Sequence, residues 1–193
     1  MEIAVKGSSK AFDKGVSALD VLKELDPDAR KSAIAARLNG ALVELMAPID
    51  QGGELVPVGF EDEEARHLLR HTASHVMASA VKNLFPKAKL AIGPSIENGF
   101  YYDFDMDEPF TPEDLSRIEK EMARIIKKND REERFTLPRG EAIALMEQRG
   151  EPYKVELIND LPEDEELSFY RQGDFVDLCA GPHLPSTGKV KAF

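Results

Sequence analysis

Short apolar runs separated by polar turns fill the first sixty residues, with one amphipathic stretch among them. Ile3-Ala4-Val5 and Ala11-Phe12 flank a polar turn and predict two strands. Ser17 then stands where a helix N-cap accepts a backbone N–H. Leu19, Leu22 and Leu25 recur at helical spacing until Asp26-Pro27 closes the helix. Ile34, Ala36 and Leu38 alternate with small or polar residues up to Asn39-Gly40, a dipeptide suited to a two-residue hairpin, and Ala41-Leu42-Val43-Glu44-Leu45 returns. Leu55-Val56-Pro57-Val58 predicts a last strand.

The order ββαβββ in this space is that of a β-grasp, or ubiquitin-like, domain, expected over residues 1–61. After the acidic run Glu61-Asp62-Glu63-Glu64 the pattern turns helical, with Leu69, Thr72, Val76, Ala80 and Leu84 on one stripe until Pro86 stops it. Leu90-Ala91-Ile92-Gly93 and Gly99-Phe100-Tyr101-Tyr102-Asp103-Phe104 predict strands around a turn at Asn98-Gly99. Thr111-Pro112-Glu113-Asp114 reads as a capping box with proline at the first helical position, followed by Leu115, Ile118, Met122 and Ile125 on one face. A shorter helix is expected from Glu141 to Gln148, ending at Gly150. Tyr153 to Ile158 is expected as a strand, and Leu167 to Leu178 as a hairpin turning near Gln172-Gly173-Asp174. The second domain, expected over residues 62–193, is therefore α+β.

Size and charge narrow the function classes. A chain of 193 residues exceeds the commonest single-domain length and suits two small domains. No apolar run reaches the roughly 18 to 20 residues that span a bilayer, and Met1-Glu2-Ile3-Ala4-Val5 reads as a strand rather than a signal peptide, so a cytoplasmic protein without membrane contact is expected. The formal net charge of -11 argues against nucleic-acid binding through bulk positive charge. Local cations remain: Lys82, Lys87 and Lys89 lie close together, and Arg117, Lys120, Arg124, Lys127 and Lys128 follow one predicted helix, where a solvated face is the plainer reading.

His71-Thr72-Ala73-Ser74-His75 places two imidazoles one helical turn apart, within reach of one point. The spacing alone is weak evidence, since paired surface or core histidines are common. Asp177-Leu178-Cys179-Ala180-Gly181-Pro182-His183 adds weight. Cys179 and His183 are also four apart, but Gly181-Pro182 forbids a regular helix and predicts a strand end running into a tight turn. The only cysteine and three of the four histidines thus fall into HxxxH and CxxxH pairs, an N/S set that suits zinc or a hydrolytic pocket.

These two motifs, with Gly99-Phe100-Tyr101-Tyr102-Asp103 and Tyr153-Lys154, resemble those of the editing domain of bacterial and eukaryotic threonyl-tRNA synthetases. The first sixty residues resemble the TGS domain that precedes it. The resemblance implies a deacylase acting on serine wrongly esterified to tRNA(Thr), in the N-terminal part of an aminoacyl-tRNA ligase. Threonine exceeds serine by one methyl group, worth only about 1 to 3 kcal/mol of discrimination, so a second pocket that excludes the methyl corrects the error. By the same resemblance His71, Lys154, Asp177 and Cys179 do the chemistry: Lys154 and a histidine orient or activate water, and Asp177 recognises the seryl amine or hydroxyl. His75 and His183 complete the pocket, and Tyr102 lines the adenosine side. No metal is expected, with zinc on His71, His75, Cys179 and His183, as in alanyl editing domains, the alternative. ATP, Mg²⁺ and zinc would serve only a separate catalytic domain of a longer protein. The expected partner is the tRNA(Thr) acceptor end carrying serine, bound by a monomeric fragment of a full-length homodimer. A zinc-dependent trans-editing hydrolase and a non-catalytic RNA-docking module are the competing readings.

Overall fold

A computed structural model describes residues 1–191 and 193. They form two compact units, Met1–Leu69 with Pro182–Pro185, and Arg70–Gly181 with Ser186–Phe193.

The first unit contains β1 (Glu2–Val5), β2 (Ser8–Ala11), β3 (Val16–Ser17), α1 (Ala18–Leu25), α2 (Pro27–Ser32), β4 (Ala35–Leu38), β5 (Ala41–Glu44), β6 (Pro48–Ile49) and β7 (Gly53–Val58). Five strands make one sheet in the order β2-β1-β7-β4-β5, parallel between β1 and β7 and antiparallel elsewhere. Ser17 caps α1 by accepting the Asp20 N–H, and Val21 and Leu22 of that helix are buried with Ile3, Val5, Leu38 and Leu55 of the sheet. Asp26-Pro27 does end α1, but Asp26 at once caps α2 through the Ala29 N–H, with Pro27 pre-set for the first turn. Asn39 and Gly40 both have positive φ, as the tight β4–β5 hairpin requires. β3 and β6, only two residues each, were too short for any periodicity to announce.

Helix α3 (Glu63–Leu84) runs through the division between the units at Leu69 and Arg70. Arg37 explains why its start belongs with the first unit: its guanidinium holds Asp62 at 2.9 Å and Glu64 at 2.8 Å. At its middle five consecutive residues, Thr72 to Val76, are buried. A helix enclosed on all sides needs small or polar residues that fit and find partners, which accounts for Thr72, Ala73 and Ser74 where an amphipathic helix would show solvent.

The second unit continues with β8 (Lys89–Leu90), β9 (Ser95–Ile96), β10 (Gly99–Phe100), β11 (Phe104–Asp105), α4 (Pro112–Lys128), β12 (Glu132–Leu137), α5 (Arg139–Arg149), α6 (Pro152–Asp160), β13 (Leu167–Gln172) and β14 (Phe175–Leu178). β9 and β10 form a short hairpin around the expected turn at Asn98, but the two expected longer strands are broken: β8 keeps only Leu90 of the first and pairs with β11, and residues 91–94 and 101–103 lie outside strands. The Thr111 and Asp114 capping box starts α4, and Asn129 in the left-handed region ends it. β12, β13 and β14 make an antiparallel sheet, whose Phe169 and Val176 pack with Met146 of α5 and Ile158 of α6. The expected strand over Tyr153–Ile158 is instead helix α6. Pro152 sits at its first position, and the buried residues Lys154 and Ile158 are one helical turn apart.

Candidate active site

Four elements of the second unit bring His71, His75, Tyr102, Lys154, Asp177 and Cys179 together. α3 supplies His71 and His75, whose rings meet edge to face with centroids 5.1 Å apart. Ser74, between them, has its hydroxyl 2.8 Å from the His71 carbonyl and 3.0 Å from the Gly93 carbonyl, tying the helix to the loop before Tyr102. That loop passes close to the ring: a Cβ on Gly93 would lie 2.0 Å from Tyr102 Cδ2. Of the paired tyrosines, Tyr102 turns inward and Tyr101 outward, at 8% and 44% exposure.

The centre of the site is Asp177, near the end of β14. One carboxylate oxygen pairs with Lys154 Nζ of α6 at 2.8 Å, and the other accepts the Tyr102 hydroxyl at 2.5 Å, with His75 Nε2 at 3.9 Å. Both members of the ion pair are buried, at 4% and 2% side-chain exposure. Burial alone would raise the Asp177 pKa. The Lys154 ammonium, then His75 and the hydrogen bonds from Lys154 and Tyr102, outweigh it and hold the carboxyl below its ordinary range, so it is ionised at neutral pH. Tyr102 moves the other way, pushed well up by burial and then by the Asp177 charge, and it remains a phenol donor. His75 is pushed down to about 3, by burial first and despite Asp177, with His71 and Lys154 adding to the shift. It is a neutral imidazole.

Lys154 occupies an unfavourable place. It is the third residue of α6, where the helix dipole disfavours cations, and it is buried. Only a charge partner as close as Asp177 makes that tolerable.

Cys179 and His71 form a second, partly accessible layer. The thiol sulfur lies 3.2 Å from His71 Nε2 and 3.3 Å from the Gly181 N–H, which donates to it. Ser168 on β13 fixes the backbone here: its carbonyl accepts the Cys179 N–H at 3.0 Å, and its hydroxyl donates to the Cys179 carbonyl at 2.7 Å. Gly181 has φ +77°, and a Cβ there would meet the Tyr170 hydroxyl at 2.1 Å. The expected tight turn after Asp177 thus aims the sulfur at the imidazole. His183 belongs to Pro182–Pro185, which counts with the first unit. It is buried, and its main-chain N–H donates to Glu44 at 2.6 Å.

His71, His75 and Cys179 each offer one ligand atom, all within 4.8 Å of one another. Chemically this N/S set fits zinc. Electrostatically the buried Lys154 ammonium, close enough to lower the His75 pKa, opposes a dication beside it. A cavity of about 990 Å³, lined by Phe85, Lys89, Met106, Phe110 and Arg149 among others, includes none of these residues. Two structurally important side chains escaped the sequence reading. Ser74 lay inside a motif dominated by its histidines, and Glu151, a buried carboxylate beside Pro152, carries no recognisable local signal.

Residues 167–193, which include Asp177, Cys179 and His183, match the family described as the threonyl and alanyl tRNA synthetase second additional domain. The chain is 61% identical over 180 residues to a threonine–tRNA ligase of Clostridium tetani, covering 93% of this chain and 28% of that protein. It is 56% identical over 187 residues to that of Acetivibrio thermocellus, covering 97% and 29%. Against that of Clostridioides difficile it is 54% identical over 193 residues, covering 100% and 30%. The chain therefore spans about three tenths of the length of these relatives.

Proposed function

We propose that this chain is the N-terminal, editing part of a threonine–tRNA ligase, and that its second unit hydrolyses the ester of serine misattached to tRNA(Thr). The observation that carries the reading is the buried Lys154–Asp177–Tyr102 network linked through His75 to the accessible His71–Cys179 pair. An aminoacyl ester is already activated, so its hydrolysis needs an oriented water and stabilisation of a developing oxyanion more than a strong nucleophile. Lys154, paired with Asp177, supplies positive charge inside a poorly solvated site. His71, the partly accessible imidazole, orients the attacking water. Cys179 walls the seryl pocket. The Asp177 carboxylate has lone pairs beyond those used by Lys154 and Tyr102, and these receive the seryl amine or hydroxyl. Tyr102 faces the adenosine side.

The parallel β1–β7 pairing and the helix packed on the mixed sheet support residues 1–61 as a β-grasp TGS domain, with residues 62–193 as the editing domain. Threonylation, with its ATP, Mg²⁺ and zinc, belongs to the remainder of the full-length protein, a homodimer. The fragment itself is monomeric and cytoplasmic. No helix among the described residues is long and apolar enough to cross a membrane.

The deciding assay offers the chain Ser-tRNA(Thr) and Thr-tRNA(Thr). Serine is released and threonine spared. Equal hydrolysis of both esters refutes the second sieve, and binding without hydrolysis favours a docking module. The N/S set at His71, His75 and Cys179 favours one other reading, a zinc-dependent hydrolase. Thorough chelation separates the two: activity persists in the metal-free reading and disappears, with restoration by stoichiometric zinc, in the other.

A further inference from the structure

Helix α6 carries Lys154 into the site but has no side-chain hydrogen bond capping its N-terminus. Its N-cap residue, Glu151, turns its carboxylate elsewhere. Glu151 is 3% exposed; one oxygen accepts the Leu90 N–H at 2.7 Å, and the other pairs with Lys82 Nζ at 2.7 Å. The Lys82 ammonium also donates to the carbonyls of Ala88 at 2.8 Å and Pro86 at 3.2 Å, so all three of its protons have acceptors. This pair joins the end of α3, strand β8 and the start of α6. The far end of α6 is held by Arg139, whose guanidinium donates to the carbonyls of Ile158, Leu161 and Pro162.

We propose that Glu151, braced by Lys82, is a positioning residue that sets where the Lys154 ammonium stands. Three observations converge on it. The Glu151 carbonyl accepts the N–H of Lys154 at 3.1 Å, so the two residues share one turn of backbone. Leu90, held by the same carboxylate, pairs with Phe104, on which Tyr102 stacks with centroids 5.0 Å apart. Glu151 therefore fixes both donors to Asp177, Lys154 directly and Tyr102 through β8 and β11. Finally, its negative charge at the start of α6 offsets the dipole that disfavours Lys154 in the first turn. A buried carboxylate braced by a partly buried ammonium would be a costly device for packing alone, since apolar groups of equal volume serve that purpose as well.

The inference rests on the editing reading for its catalytic consequence, and the test has one arm independent of turnover. In the full chain, Glu151→Gln keeps the side-chain volume and a carbonyl for the Leu90 N–H but removes the charge. It lowers the single-turnover rate on Ser-tRNA(Thr) by about ten- to a hundredfold, the scale of a displacement near 1 Å, with substrate affinity unchanged. In a Lys154→Ala background, which keeps only residual activity, the same substitution lowers the rate far less than in the unsubstituted chain, by the share that runs through Tyr102. Trace acetylation read by mass spectrometry needs no substrate: Lys154 becomes several-fold more reactive in Glu151→Gln, while exposed Lys120 does not change. Lys82→Gln reproduces the pattern. An equal rate loss in the Lys154→Ala background, or unchanged Lys154 reactivity in Glu151→Gln, overturns the proposal. If the unsubstituted chain cleaves no seryl ester, the editing reading falls and the acetylation arm alone decides the positioning role.

Discussion

Neutralising the ion pair at Lys154 and Asp177 one side at a time, and then both together, should separate its structural from its chemical role. At 2.8 Å and an effective dielectric constant of about 20, the gross attraction between the two charges is about 6 kcal/mol. Desolvation of two ions, at several kcal/mol each, cancels most of it. The intact pair is therefore close to neutral for stability, but either charge left alone is not. Asp177→Asn strands the ammonium and Lys154→Met strands the carboxylate, and each costs about 3 to 5 kcal/mol. The double variant strands neither, and its asparagine still accepts the Tyr102 hydroxyl, so it costs only about 1 to 3 kcal/mol. The two units need not unfold together, so a single melting midpoint is a poor measure. Native-state hydrogen exchange at amides of α6 and β14 reports the unit concerned. All three variants lose deacylation, and the double variant is the informative one, stable but inactive. Single-variant costs that add to within about 0.5 kcal/mol, or a cost below about 1 kcal/mol for either, would refute the claim of mutual dependence.

Two further outcomes follow from neighbouring groups. Because the folded Asp177 pKa lies below its unfolded value, its contribution is fully present at neutral pH and is lost as pH falls through the folded value. The stability gap between the unsubstituted chain and Asp177→Asn should stay constant from about pH 7 to 5 and close only below about pH 4; closure already near pH 6 would mean that burial had won over Lys154. Gly93→Ala would place a methyl within 2.0 to 2.7 Å of three Tyr102 ring carbons, so it should displace the ring, cost about 1 to 3 kcal/mol and slow deacylation. Gly140→Ala, whose added methyl meets nothing within 4 Å, is the control and should leave the rate unchanged.

The sequence made the capped helices and tight hairpins legible because each has a local cause. Thr111 with Asp114, Ser17, and Asn39-Gly40 act within four residues of themselves, and each appears where its pattern places it. Helix α6 was hidden by the residue that matters most there. Tyr153, Val155 and Leu157 alternate like a strand, while the helical spacing of core positions runs through Lys154, which no hydrophobic pattern counts as core. Strand β12 was missed for a similar reason: Glu132-Glu133-Arg134 looks like surface, and only the pairing with β13 organises it. The paired motifs named His71, His75, Asp177 and Cys179, but the division into accessible and buried layers depends on residues from α6 and the Tyr102 loop. Contacts 75 residues apart, such as Tyr102 to Asp177, leave no spacing to read.

The turn after Cys179 limits how this protein can change over time. At Gly181 any side chain meets both a left-handed backbone and the Tyr170 ring: the added carbon would lie 2.1 Å from the hydroxyl and 2.8 Å from Cζ. Replacing Tyr170 by phenylalanine removes the first collision and leaves the second, as well as the backbone strain. No single compensating step opens the position. The loop offers no gradual path toward a different orientation of the thiol, and a new substrate preference would have to arise from the pocket walls around it.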